Sequence, residues 1–114
     1  MVEPDANKPL RFDIFLINLD PTKGSEIKKT RPCVVISPNE INSHLSTVII
    51  APMTTTIREH FPTRIAVEFH GKKGQIALDQ LRVIDRTRIV KRLGKIQARE
   101  TREQVLRLLQ IMFS

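Results

Sequence analysis

The chain has 114 residues, of which 40% are hydrophobic and 27% charged, a balance typical of one globular domain rather than a disordered or fibrous chain. Nineteen lysines and arginines against twelve acidic residues give a net charge of +7, so we expect association with polyanions such as nucleic acid or an acidic polypeptide. The absence of Trp and Tyr disfavours an RNA-recognition sheet that stacks bases on paired aromatic rings.

The cysteine content and the hydropathy pattern indicate the compartment. A single cysteine, Cys33, excludes an internal disulfide and a multi-cysteine zinc site. No apolar run approaches the roughly 20 residues that span a bilayer, and no signal peptide is visible at the N-terminus. We therefore expect a cytoplasmic protein with no membrane association.

The first part of the chain predicts a tail followed by strands. Residues 1–10 contain two prolines and no periodicity, which predicts a flexible tail before a single domain over residues 11–114. Residues 11–19 are apolar on both alternating faces, as in a central strand that is covered on both sides. Further strands are predicted over residues 32–37, 45–53, 64–69, 75–81, 82–85 and 89–93. The sequence HGKKG over residues 70–74 suits an exposed hairpin loop.

The last part of the chain changes from strand to helix periodicity. Apolar residues recur there at helical spacing and form one face, namely Val105, Leu108, Leu109 and Met112. Thr101 followed by Gln104 forms a capping box, which predicts a helix start near Thr101. Many short strands and one terminal helix predict a mainly β fold, in which the helix packs on a strongly bent sheet or partly open barrel.

Side chains with recognisable chemistry are sparse. The sequence contains no nucleophile elbow, phosphate-binding loop, glycine-rich dinucleotide turn or zinc-protease motif. His44, His60 and His70 are isolated in predicted loops or strand ends, and we interpret each as a solvated loop residue. Ligand-type residues share no metal-binding spacing on one element, so neither a metal site nor a cofactor is predicted. Cys33 lies in an apolar strand and is interpreted as a small buried hydrophobe.

The polar loop over residues 20–31 is the exception. It concentrates charged side chains between two predicted strands, namely Lys23, Glu26, Lys28, Lys29 and Arg31. On composition alone, a solvated charged loop is favoured. Gly24 allows main-chain N–H groups to approach a ligand, and Arg31 precedes Pro32, which holds its backbone extended. An arginine fixed at the start of a strand is a positioned cation suited to phosphate oxygens.

Four ordered segments carry a family resemblance. LDPTKGSE, TRPCVVISP, APMTT and ALDQLRVID occur in that order. Together they resemble the PemK/MazF-type toxins of bacterial type II toxin–antitoxin systems, from about residue 11 to the C-terminus. The resemblance implies a small SH3-like barrel with a C-terminal helix that forms homodimers. Leu106 and Phe113 lie off the apolar face of the predicted helix, and we expect them at the dimer interface.

The resemblance also implies an activity and partners. Members of the family are endoribonucleases that cleave single-stranded RNA, including mRNA, at short sequences without a metal or cofactor, and thereby inhibit translation and growth. Attack by the 2′-hydroxyl leaves a 2′,3′-cyclic phosphate and a 5′-hydroxyl. A cognate antitoxin with a disordered acidic tail occupies the RNA groove and silences the toxin. We expect the same substrate and the same kind of partner for this chain.

The family's functional residues fall on matching positions of this chain. Its catalytic arginine falls on Arg31 in TRP and its catalytic threonine on Thr54 in PMTT. An acidic residue that is implicated in some members falls on Glu26 in GSE. Residues of the same motifs are expected to bind RNA, namely Lys23, Ser25, Lys28, Thr55, Asp79 and Gln80.

Two departures from the family pattern leave the general base open. Some members use an arginine two residues before the Asp of the D-Q pair, and this position, before Asp79, is Ala77 here. Some members use a histidine in the first loop, where this chain has Ser25. Glu26 and Asp79 are therefore both candidates to accept the 2′-proton.

The other catalytic roles follow from elementary chemistry. Arg31 stays protonated near neutral pH, so it suits stabilisation of the phosphorane and donation of a proton to the 5′-oxygen, but not the role of general base. Thr54 can donate its hydroxyl proton to a non-bridging phosphate oxygen. Sequence preference is expected from base contacts in the predicted loops, over residues 39–45, 55–63 and 70–74, with Phe61 either stacking on a base or capping the barrel.

Two alternatives to a ribonuclease stay open. A non-catalytic toxin of the same fold could bind a protein target such as gyrase. Gyrase-binding toxins act through a terminal Trp-Gly-Ile, whereas this chain ends in IMFS. A plain nucleic-acid-binding barrel is disfavoured by the pairing of Arg31 with Thr54.

Overall fold

The computed structural model describes residues 8–27 and 29–114, so residues 1–7 of the predicted tail and Lys28 lie outside the described residues. Pro9, four residues before the start of the first strand at Asp13, is buried. The backbone N–H of Leu10 donates to the Asp13 carboxylate at 2.9 Å. The chain is therefore held against the domain from Pro9 onward.

The described residues form strands and two α-helices in the order strand, strand, helix, five strands, helix. The strands are β1 (Asp13–Asn18), β2 (Thr30–Val35), β3 (Thr47–Thr54), β4 (Arg64–Phe69), β5 (Lys72–Ala77), β6 (Arg82–Asp85) and β7 (Ile89–Lys95). The helices are α1 (Asn39–Asn42) and α2 (Arg99–Met112), and 3₁₀ turns cover Leu78–Gln80 and Arg86–Arg88. Each predicted strand is present, and the largest shift in bounds is that of β5.

One strand, β3, bends the sheet. All described strand pairs are antiparallel, in the order β4-β5-β3-β2-β1-β7, with β6 paired to β3 off this path. Along one side of β3, residues 47–50 pair with β6, whereas Met53 and Thr54 pair with β5. Because β3 changes partner midway, the sheet curves into a half-barrel. The predicted mainly β, partly open barrel with a packed C-terminal helix is confirmed.

The central strand β1 buries side chains on both faces of the sheet. Ile14 joins one hydrophobic core with Val34, whereas Phe15 joins a second core with Cys33. Successive side chains of a strand point to opposite faces. The two-sided apolar pattern of residues 11–19 therefore predicted a central strand correctly.

The hairpin between β4 and β5 is tighter than predicted. Only His70 and Gly71 lie between the two strands, with φ angles of 51° and 76°. Positive φ at both central residues is the conformation of a type I′ turn, which matches the twist of the flanking strands. Since two residues complete the turn, Lys72 already belongs to β5. The predicted exposed hairpin is therefore present, but its loop is shorter than HGKKG.

A short helix, α1, occupies part of the predicted loop over residues 39–45. It follows Pro38, and the buried Asn42 amide donates to the Ser37 carbonyl oxygen at 2.9 Å. Side-chain hydrogen bonds, rather than an apolar period, hold this turn, so periodicity did not reveal it.

The terminal helix packs as predicted but starts earlier. Val105 is fully buried in the first core, and Leu108, Leu109 and Met112 pack against it, which confirms the predicted apolar face. The helix begins at Arg99, with Ala98 at the N-cap and no side-chain capping bond, so the Thr101–Gln104 capping box was wrong. Burial of the apolar face, rather than a side-chain cap, stabilises the helix.

Replacing Thr101 with alanine is expected to change the free energy of unfolding by less than about 0.5 kcal/mol, because no side chain caps α2. Val105→Ala removes methyl groups from the core and is expected to cost about 1.5–3 kcal/mol. Urea denaturation followed by circular dichroism measures both. A loss of about 1 kcal/mol or more for Thr101→Ala would contradict the uncapped helix start.

Candidate active site

Arg31 and Thr54 come together at the ends of neighbouring strands. β2 and β3 pair with Cys33 opposite Pro52, and continuing this register by two residues places Arg31 opposite Thr54. Opposed residues of an antiparallel pair have Cβ atoms about 5 Å apart. Both residues line one cavity of about 260 Å³, which we call the Arg31–Thr54 cavity.

The Arg31–Thr54 cavity is basic. Thr55 also lines it, and the opposite wall comes from the β4–β5 hairpin and β7 and includes His70, Lys72 and Lys73. None of the described residues that line the cavity is acidic. Lysine and arginine side chains gathered in a concave site attract anions such as phosphate.

The geometry around Thr54 leaves its hydroxyl proton available. Its Oγ1 accepts a hydrogen bond from the Thr56 backbone N–H at 3.1 Å, so the hydroxyl can still donate to another acceptor. Thr54 is held by a close approach of β5, since a Cβ atom on Gly74 would lie 2.5 Å from the Thr54 carbonyl oxygen. Only glycine permits this spacing between the two strands.

A second cavity, of about 290 Å³, holds the acidic residues and is called the Glu26–Asp79 cavity. Ser25, Glu26, Asp79 and Gln80 line it together with Pro52, which lies two residues before Thr54 on β3. The two cavities therefore flank the end of β3. The structure brings Arg31, Thr54 and Thr55 together in one cavity and Ser25, Glu26, Asp79 and Gln80 together in the other.

Hydrogen bonds organise the loop that carries Glu26. The Gln80 side-chain oxygen accepts from the Ile27 backbone N–H at 2.7 Å, which ties the loop to the 3₁₀ turn after β5. The Glu26 carboxylate accepts from the Lys23 backbone N–H at 2.5 Å. Lys23 is exposed and lines neither cavity. Lys28, predicted to bind RNA, lies outside the described residues.

Asp79 is engaged by a buried arginine. Arg64 Nε donates to Asp79 Oδ1 at 2.8 Å, and only 5% of the Arg64 side chain is exposed. Thr63 Oγ1 donates to the same oxygen at 3.1 Å. Burial opposes ionisation of Asp79, but hydrogen bonds from Arg64, its own backbone N–H and Thr63, with the charge of Arg64, outweigh burial and lower the pKa of Asp79.

Arg64 is a residue that sequence reasoning missed. It lies directly opposite Ala77 in the β4–β5 pair. In some members of the family that the four motifs resemble, an arginine stands at the position of Ala77. In this chain Arg64, on the neighbouring strand, places its guanidinium beside Asp79 instead. The signal was hidden because Arg64 and Asp79 are 15 residues apart and meet only through the strand register.

Phe61 is on the loop between β3 and β4. Its ring lies beside Arg58 of the same loop and Arg64 of β4. The guanidinium carbons of Arg64 and Arg58 are 5.3 Å and 5.9 Å from the centre of its ring. The Arg58 backbone N–H donates to the buried Gln75 side-chain oxygen at 3.0 Å, which fixes the loop on β5. Phe61 is 43% exposed, so the ring presents an open surface instead of capping the core.

Cys33 is fully buried, as predicted. Burial raises the pKa of the Cys33 thiol to about 12, against the opposing charges of Arg82 and Arg31. A thiol that stays protonated at neutral pH is a poor nucleophile, so Cys33 serves packing.

The three histidines have different surroundings. His44 and His60 are exposed and line neither cavity, whereas His70 lines the Arg31–Thr54 cavity. His70 is exposed in the turn, as predicted, but the prediction did not foresee that it would line the same cavity as Arg31 and Thr54. Within residues 8–27 and 29–114, no three His, Cys, Asp or Glu side chains converge as metal ligands, and no helix is long and apolar enough to span a membrane.

The fold and the site define a small β half-barrel with a basic, threonine-containing cavity and a packed C-terminal helix. The chain belongs to the PemK-like, MazF-like toxins of type II toxin–antitoxin systems, since the model of this family matches residues 10–113. The family predicted from the four sequence motifs is therefore confirmed.

Individual relatives agree with this membership. An endoribonuclease MazF of Staphylococcus saprophyticus is 32% identical over 98 residues, which cover 82% of this chain and 82% of the relative. The crystal structure of a MazF from Deinococcus radiodurans has a TM-score of 0.71 at 26% identity and covers 90% of this chain and 96% of that chain. A mycobacterial endoribonuclease in complex with its cognate antitoxin has a TM-score of 0.75 at 22% identity, covers 90% and 92% of the two chains, and shows the shared fold.

Asp79 is expected to make stability depend on pH. Because its folded-state pKa is lowered, the carboxylate stabilises the fold above the unfolded value of about 3.9, and this contribution is lost as the pH falls through the folded-state pKa. Asp79→Asn should therefore be less stable than wild type at about pH 6 and approach it at about pH 3. Urea denaturation at both pH values, with the exposed Glu59→Gln as control, measures this. A deficit of equal size at both pH values would contradict the assignment.

Proposed function

We propose that this chain is a sequence-specific endoribonuclease toxin that cleaves single-stranded RNA without a metal ion. The observation that carries the proposal is the meeting of Arg31 and Thr54 in one cavity with two lysines and no described acidic lining residue. A cavity with these groups accommodates a phosphodiester. The 32% identical relative from S. saprophyticus, an endoribonuclease by name, supports the same activity.

The proposed reaction is attack of a 2′-oxygen on the adjacent phosphorus. The O2′–P bond forms and the P–O5′ bond breaks, which leaves a 2′,3′-cyclic phosphate and a 5′-hydroxyl. Arg31 presents its planar fork to two phosphate oxygens and stabilises the charge of the phosphorane. Thr54 donates its hydroxyl proton to a non-bridging oxygen. With Lys72 and Lys73, these groups supply the positive charge that a metal provides in other nucleases.

Glu26 is the proposed general base. It lines the neighbouring cavity beside Pro52, so an RNA strand that spans both cavities brings a 2′-hydroxyl towards its carboxylate. Asp79 is the weaker candidate, because Arg64 and Thr63 already occupy its oxygens. We assign Asp79 to RNA binding, with Lys23, Ser25, Lys28, Thr55 and Gln80.

The proposed partner is an acidic antitoxin. The net charge of +7 and the basic cavity favour a negatively charged tail that competes with RNA for the same surface. The mycobacterial structure of the same fold contains a cognate antitoxin, and solved D. radiodurans structures contain MazE with MazF. We place the system in the cytoplasm, where cleavage of mRNA inhibits translation and growth.

The proposed assembly is a homodimer through the outer face of α2. Leu106, Ile111 and Phe113 are 37%, 65% and 73% exposed. Several exposed large apolar side chains on and next to one helix are typical of an interface between copies. The MazF fold of the chain is consistent with this assembly.

Sedimentation should therefore detect a dimer at micromolar concentration. Phe113→Asp places a charge in the proposed interface and is expected to weaken dimerisation at least tenfold, an effect of about 1.4 kcal/mol. Val83→Asp, the same kind of change at an exposed position of β6, should leave the dimer intact. A wild-type monomer under these conditions would contradict the proposed interface.

Three variants test the active site in single-turnover cleavage of a mixed-sequence RNA with excess EDTA present. Arg31→Ala, Arg31→Lys and Thr54→Val should each slow cleavage by roughly 10²- to 10⁴-fold while RNA binding changes little, because each removes transition-state stabilisation. Lysine fails at position 31 because it lacks the planar fork.

The outcomes separate the competing functions. If folded Arg31→Ala cleaves RNA at the wild-type rate, the assignment of the active site is wrong. If EDTA stops cleavage by the wild-type protein, the reaction is not metal-independent. Wild-type protein that binds RNA and leaves it intact would favour a binding barrel or a toxin directed at a protein.

A further inference from the structure

A histidine projects from the β4–β5 turn at the wall of the Arg31–Thr54 cavity. His70 is the first residue of the type I′ turn and shares the lining of the cavity with Arg31, Thr54, Lys72 and Lys73. Its φ of 51° lies in the left-handed region, where histidine is one of the more frequent residues other than glycine.

The His70 ring is held in place by its neighbours. It stacks on Phe69, with ring centres 3.9 Å apart and planes 19° from parallel. Phe69 in turn lies against Gly94 of β7, where an added Cβ would sit 3.2 Å from Phe69 Cε1. Because Gly94 has no side chain, Phe69 packs closely against its backbone, and the His70 imidazole stacks on the Phe69 ring.

RNA cleavage in this cavity needs a proton donor for the departing 5′-oxygen. Arg31 was one candidate for this donor from the sequence, but a guanidinium holds its proton tightly near neutral pH and is assigned here to the charge of the phosphorane. Glu26 and Asp79 line the other cavity. Imidazole is the side chain that both gives and regains a proton near neutral pH. Among the described residues of the Arg31–Thr54 cavity, His70 alone carries an imidazole.

We propose that His70 is the general acid of RNA cleavage, an assignment that rests on the proposed function. As the O2′–P bond forms, the 2′-proton passes to Glu26. As the P–O5′ bond breaks, a ring N–H of protonated His70 gives its proton to O5′, which yields the 5′-hydroxyl and a neutral imidazole. Exchange with water returns both side chains to their starting states.

The test replaces the leaving oxygen with sulfur. An RNA oligonucleotide with a bridging 5′-phosphorothiolate at the cleaved position releases a thiolate, which needs no proton. His70→Asn keeps a residue that tolerates the left-handed turn and removes the acid. We expect His70→Asn to cleave the oxygen substrate roughly 10²- to 10⁴-fold more slowly than wild type, and the sulfur substrate within about threefold of it.

The controls separate this assignment from the site itself. Glu103→Gln changes an exposed residue of α2 that lines neither cavity and should cleave both substrates at the wild-type rate. Arg31→Ala should be slow on both substrates, because phosphorane stabilisation is needed for either leaving group.

Three results would overturn the proposal. If His70→Asn cleaves the oxygen substrate at the wild-type rate, His70 has no catalytic role. An equal loss on both substrates with weakened RNA binding makes His70 a binding or stacking residue. Absence of cleavage of either substrate by wild type overturns the proposed function as well, which distinguishes that failure from a failure of His70 alone.

Discussion

The change of partner along β3 is the constraint on which the rest of the structure depends. β3 pairs with β6 over its first half and with β5 over its end, and β2 runs along its other side. This arrangement curves the sheet, brings Thr54 opposite Arg31, and places the β4–β5 hairpin at the wall of the cavity that both residues line. Gly74 permits the close approach of β5 to the Thr54 backbone in this arrangement.

Separation of charge follows from the same curvature. Basic side chains from β2 and β5 line one cavity, whereas the carboxylates of Glu26 and Asp79 line the other together with Arg82. A phosphate bound in the first cavity is not repelled by the two carboxylates. An RNA strand that spans both cavities still contacts them. The ion pair of the buried Arg64 side chain with the exposed Asp79 engages one carboxylate, so Glu26 is left to act as the base in the proposed reaction.

Local patterns were sufficient for the fold and insufficient for parts of the site. Two-sided apolar alternation in residues 11–19 and the period of α2 report burial, and both predicted their elements. The capping box failed because a polar pair within the chain does not decide where a packed helix starts. The sequence did not predict Arg64 and His70 as site residues, because their surroundings depend on strand register and on a tight turn. Both features bring together residues that are far apart in sequence.

The most direct test of the account uses an altered RNA instead of an altered protein. The claim is that the Arg31–Thr54 cavity binds a phosphodiester and that the neighbouring 2′-hydroxyl attacks it. An oligonucleotide with one 2′-deoxynucleotide on the 5′ side of the cleaved phosphate removes only that nucleophile. We expect unchanged binding, no cleavage at that phosphate, and 2′,3′-cyclic phosphate ends on the all-ribose control. Cleavage of the deoxy-substituted phosphate, or a 3′-hydroxyl end on the control, would contradict it.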